Sequence, residues 1–171
     1  KDSIASIFTP TAFKSKSVKA IAVELSREIP GASPEQVAQI LANAQRGPSS
    51  GFTQGFEFLV FEGPEQTARF WTAVPWWHDP FWDGAKRAPL LIVPLGQEEA
   101  YVARYKAPDK ADIGRQSGAD FPAPYWFIDT AFAVMLMLLT AVDAGLGAFY
   151  FSIGPSNKEI PLFRTTLGIP D

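Results

Sequence analysis

The segment "TAFAVMLMLLTAV", residues 130–142, constrains the fold more than any other part of the chain. It carries no charge and sits inside a longer helix-forming stretch, residues 125–144. A helix that is apolar nearly all round must be covered on both sides. The run is shorter than the roughly 20 residues a bilayer crossing requires, and Asp129 and Asp143 flank it. The expectation is a buried helix and no membrane. In a chain of 171 residues, a second copy of the same chain is a natural cover.

The remaining elements are mixed α and β, in one domain over residues 1–171 with a single sizeable core. "SPEQVAQILANAQR", residues 33–46, predicts a helix: Ser33 caps it, Pro34 suits its first position, and Gln36 completes a capping box. Val37, Ile40, Leu41 and Ala44 form its apolar stripe. "FEFLVFE", residues 56–62, alternates and then turns apolar, as a strand does. A helix is expected over 64–74, a short buried strand over 90–95 and a further helix in "EEAYVARY". Residues 106–124 show little periodicity and read as a long surface excursion. After the apolar helix come a glycine turn, a strand in "GLGAFYFSIG", and a last helix that Gly168 and Pro170 stop.

Several chemistries are excluded. Without cysteine there are no disulfides or thiolate sites, and one histidine cannot build a multi-histidine metal centre. No metal site is expected. A formal charge of −3 gives no general attraction for nucleic acid. His78, in "PWWHDPF", would have to serve any serine–histidine–aspartate triad, but no G-x-S-x-G elbow accompanies it; a polar residue in an aromatic loop is the plainer reading. The tryptophans between Val74 and Pro89 can be core anchors or can stack on a flat ligand. "PSSGFTQG", residues 48–55, can be a helix stop, or a loop whose hydroxyls and backbone N–H groups hold a polar heterocycle.

Taken together, "QRGPSSGFTQGFEFLVF", "RAPLLIVPL", "AYVARYKAPDK", "PYWFIDTAFAVMLMLLTAVDAGLGA" and "FRTTLGIPD" resemble the FMN-dependent nitroreductase family, and most nearly an actinobacterial-type branch of it. The likeness runs from about Ser33 to Asp171. It implies an α+β fold, a central mostly antiparallel sheet flanked by helices, in a domain-swapped-type homodimer that binds FMN at its interface. It further implies ping-pong hydride transfer from NAD(P)H through flavin N5 to an electron-poor small-molecule acceptor, such as a nitroaromatic or a quinone. By the same resemblance Pro48, Ser49, Ser50, Gly51 and Gln54 line the flavin. Ser152, Ile153 and Gly154 approach its reactive edge, Ser152 and Ile153 through backbone near N5, and no protein side chain is required as acid or base. Trp76, Trp77 and the segment 100–110, Tyr105 within it, are candidates for covering the site.

The first 30 residues diverge from the family. Its basic motif for the flavin phosphate should fall near residues 21–27, where "IAVELSR" offers only Ser26 and Arg27; Lys14, Lys16 and Lys19 are possible substitutes. The family's next strand and basic tail would lie beyond Asp171. These departures keep a second expectation open: a non-catalytic or cofactor-altered dimer of the same fold that binds another ligand or none. "KDSIASIFTP" shows no apolar signal core, so the expected compartment is the cytoplasm.

Overall fold

The computed structural model describes residues 20–23, 31–74, 83–152 and 159–169. Four strands form one antiparallel sheet: β1 (Ala20–Val23), β2 (Phe56–Glu62), β3 (Leu90–Gly96) and β4 (Phe149–Phe151), in the order β2-β3-β1-β4. Five helices accompany them: α1 (Pro34–Ala44), α2 (Gly63–Thr72), α3 (Glu98–Tyr105), α4 (Tyr125–Asp143) and α5 (Ile160–Leu167).

β3 is buried along its whole length, and side-chain alternation in β2 and β3 assigns each face its helices. Phe56, Phe58 and Val60 of β2, with Leu90 and Ile92 of β3, pack with the stripe of α1 and with Ala133, Val134 and Met137 of α4. Phe61 of β2 and Leu91, Val93 and Leu95 of β3 face the other way, onto Phe70 of α2 and Phe163 of α5. Double-sided burial explains why "LLIVPL" reads as a continuous apolar run instead of an alternating one. A third cluster, Tyr101, Tyr105, Phe121 and Trp126, joins α3 to the start of α4. Gly96 permits that junction, because a Cβ there would lie 2.5 Å from the carbonyl oxygen of Trp126.

The capping box of α1 forms as expected. Ser33 Oγ accepts from the Gln36 N–H at 3.2 Å, and Gln36 Oε1 accepts from the Ser33 N–H at 2.8 Å. β1 is the element that the sequence did not announce: no strand is expected at 20–23. Yet Ile21 pairs with Ile92 on one side and Tyr150 on the other. The residues expected to stand near the phosphate motif thus begin with an inner strand.

α4 also corrects an expectation. At 19 residues it is, by length and composition alone, long and apolar enough to cross a membrane, because its ends extend the uninterrupted apolar run. Its packing is that of a two-sided helix. Ala133, Met137 and Ala141 are buried toward α1 and the sheet and Asp129 is buried too, whereas Ile128, Phe132, Met135, Leu139 and Val142 are exposed.

Candidate functional site

Between α1 and β2 the chain makes a tight loop with a 3-10 turn at Ser50–Phe52. Gly51, Phe52 and Gln54 all have left-handed backbone, with φ of 64°, 53° and 54°. Glycine adopts this region freely, but Phe52 and Gln54 do so at a cost of order 1 kcal/mol each, which surrounding contacts must offset. Those contacts are specific. The Ser50 N–H donates to Asp129 Oδ2 at 2.7 Å, and the Tyr101 hydroxyl donates to the same oxygen at 2.7 Å. Ser50 Oγ and the Tyr105 hydroxyl are 2.8 Å apart, and Arg104 Nε donates to the Gly51 carbonyl at 2.9 Å. Within the loop the Gln54 N–H donates to Ser49 Oγ, and Gln54 Nε2 donates to the Gly47 carbonyl.

These groups hold defined charge states. Burial, with Asp129 beside it, pushes the Tyr101 phenol far above its ordinary value, so Tyr101 is a neutral donor. Asp129 is 3% exposed, and two donors on one carboxylate oxygen compensate its burial. Asp109 binds Arg104 through two bonds of 2.8 and 2.7 Å. That fork lowers the Asp109 carboxyl below its ordinary range and raises the Arg104 guanidinium.

The 106–124 excursion is ordered by its own chemistry and by the site. Asp120 caps a 3-10 turn through Ser117. The Arg115 guanidinium sits against three rings, 5.1 Å from Tyr105, 4.8 Å from Phe121 and 5.9 Å from Tyr125. Lys110 Nζ lies 5.2 Å from the Tyr105 ring.

Of the residues expected to line the site, Ser49, Ser50, Gly51 and Gln54 are half-buried in this loop, Pro48 is exposed, and Tyr105 is buried beside Ser50. Arg27, Trp76, Trp77, His78, Ile153, Gly154 and the three N-terminal lysines lie outside the described residues. Ser152 is exposed and follows β4, at the sheet edge opposite β2. Three interstrand steps of about 4.8 Å separate those edges by roughly 14 Å. Within a single chain Ser152 and the 48–55 loop therefore stand apart.

A cleft of about 570 Å³ opens on the loop, lined by Arg46, Phe52, Gln54, Phe56, Glu57 and Phe58. Phe52 is 81% exposed. An exposed apolar ring, a loop with left-handed glycine backbone and an arginine in the lining suit a flat heterocycle carrying a phosphate, so the residues present fit FMN. Among the described residues no group of three or more metal-ligating side chains occurs.

Asp129 and Arg115 were not expected in the site; Tyr101, Arg104 and Lys110 belong to the 100–110 segment expected to cover it. One signal pointed to Asp129: a lone carboxylate in an apolar helix demands a buried partner.

The profile described as "Nitroreductase family" matches residues 30–171. Among solved structures, one described as an NADH oxidase from Clostridium acetobutylicum superposes with a TM-score of 0.59 at 21% identity, covering 88% of this chain and 75% of the other. One described as an NADH dehydrogenase/NAD(P)H nitroreductase from Parabacteroides distasonis gives 0.57 at 18%, with 88% and 73% covered. A Nitroreductase Family Protein from Streptococcus pneumoniae gives 0.58 at 15%, with 88% and 78% covered. No curated protein matches.

Proposed function

The chain belongs to the nitroreductase family, and from that premise we propose that it is an FMN-dependent oxidoreductase of the actinobacterial-type branch. It works as a homodimer and carries hydride from NAD(P)H to an electron-poor acceptor such as a nitroaromatic or quinone. The observation that carries this reading is the 48–55 loop, held in left-handed backbone by Asp129 and Arg104 and opening on a cleft. Bound FMN supplies the hydride chemistry.

The chain's own residues position and screen. Ser50 and Gly51 present hydroxyl and backbone, while Asp129 and Tyr101 fix the loop from beneath. Ser152 brings its backbone donor from the opposite sheet edge. Since that edge is roughly 14 Å away in one protomer, the partner's copy completes the site. The exposed face of α4 favours such a partner. Ile128, Phe132, Met135, Leu139 and Val142 follow steps of four and three, the spacing of a helix-pairing seam.

The test is an absorbance spectrum before and after addition of FMN and gel filtration, followed by NAD(P)H reduction and acceptor turnover. A flavin band that travels with a dimer and bleaches with NAD(P)H is the expected result. A colourless dimer would favour a cofactor-altered relative, a reading to which the internal use of Ser49 Oγ and the Gln54 amide lends support.

A further inference from the structure

Positive charge gathers where the chain departs from a simple loop. Around Ser50 and Gly51 stand Arg104, Lys110 and Arg115, although the chain as a whole carries −3. They differ in what they are free to do. Arg104 is spent on Asp109 and on the Gly51 carbonyl. Arg115 is held among the rings of Tyr105, Phe121 and Tyr125, with its Nη1 buried and without a hydrogen-bond partner. Lys110 makes no salt bridge or side-chain hydrogen bond among the described residues. The acid next to it in sequence, Asp109, already accepts a bidentate arginine.

The position of Lys110 gives that ammonium a use. A Cβ on Gly51 would lie 3.4 Å from Lys110 Cε and 3.0 Å from Tyr105 Cε2. The lysine stem therefore passes close to the loop at Gly51, with Nζ 5.2 Å from the centre of the Tyr105 ring, whose hydroxyl is 2.8 Å from Ser50 Oγ. An ammonium without an acid partner, beside a ring whose hydroxyl pairs with a serine, offers a donor set for a compact oxyanion.

We propose that Lys110, with Ser50 Oγ and the Tyr105 hydroxyl, binds a phosphate monoester, and that Arg115 is a positioning residue that fixes the Tyr105 ring. This rests on the flavin-oxidoreductase reading for its two natural sources: the 5′-phosphate of FMN or the 2′-phosphate of NADPH. Lysine meets either as a point charge.

The experiment compares wild type with Lys110→Met, which keeps an apolar stem over Gly51 and removes only the charge. Dissociation constants for FMN and riboflavin are measured by flavin fluorescence, and the NADPH/NADH ratio of KM by steady-state kinetics. Loss of about tenfold or more of the FMN-over-riboflavin preference assigns the site to the flavin phosphate. A retained flavin preference with a lost NADPH preference assigns it to the nucleotide. Two unmoved ratios overturn the proposal. If neither flavin binds, the functional reading has failed and inorganic phosphate decides. Titration that shifts the Ser50 and Gly51 amide resonances in wild type and leaves them still in Lys110→Met supports the site. No shift in wild type, or the same shift in the variant, overturns it.

Discussion

Asp129 does more at residue scale than its place in an apolar helix suggests. One carboxylate oxygen takes the Ser50 N–H and the Tyr101 hydroxyl, so it ties α3 and the 48–55 loop to α4. Asp129→Ala strands both donors in a buried site and is expected to cost about 2–4 kcal/mol. Asp129→Asn keeps an acceptor of the same shape and costs less. Urea denaturation with an unchanged m-value measures both, and equal losses would refute the network. Tyr101 adds a pH signature. Its folded value is raised by burial and by Asp129. Its contribution is therefore whole below the unfolded value near 10 and is lost as pH climbs past it. Stability measured from pH 8 to 11 is expected to fall above 10 in wild type, and Tyr101→Phe is expected to flatten that part of the decline. Asp109 acts with the opposite sign. Arg104 lowers it, so its contribution is present above the ordinary carboxylate range and disappears as pH drops through the lowered value.

Local chemistry accounts for most of the elements. α1 carries its own cap, first-position proline and apolar stripe, and it forms where those signals place it. Ser33→Ala removes the cap bond and is expected to lower stability by about 1 kcal/mol, read as a shift of the denaturation midpoint. β2, β3 and α3 were legible for the same reason: alternation, a buried apolar run and helical spacing are all contained within a few residues. β1 was not. Its strand character comes from pairing on both sides, with β3 and with β4, partners roughly 70 and 130 residues away in sequence, and a four-residue strand has too short a pattern to declare itself. The site divides the same way. The 48–55 loop stood out because two serines, a glycine and a glutamine exceed what a helix stop needs. Arg115 and Asp129 did not, since each becomes part of the site only when the 106–124 excursion and α4 fold against that loop; the 100–110 segment was expected as a cover, but nothing in its pattern marked Tyr101 and Arg104 as anchors of the loop.

For the whole molecule the question is what covers α4. Leu139 and Val142 are 58% and 67% exposed, and a monomer leaving such a stripe in water forgoes about 25 cal/mol for each Å² of apolar surface it fails to bury. The same stripe runs along the helix whose other side carries Asp129, so any partner seated on α4 is one residue away from the loop's anchor. If a second copy is that partner, assembly and flavin binding belong to one event, because the loop and Ser152 lie at opposite edges of a single sheet. Leu139→Glu places a charge within the seam while leaving the buried face of α4 intact. It is expected to give a monomer by sedimentation velocity, with a native far-ultraviolet circular dichroism spectrum and flavin affinity reduced by about a hundredfold or more, the scale of a charge left unpaired in an interface. A monomer that still binds FMN at wild-type affinity would mean that one protomer holds the flavin alone, and that the far sheet edge takes no part in it.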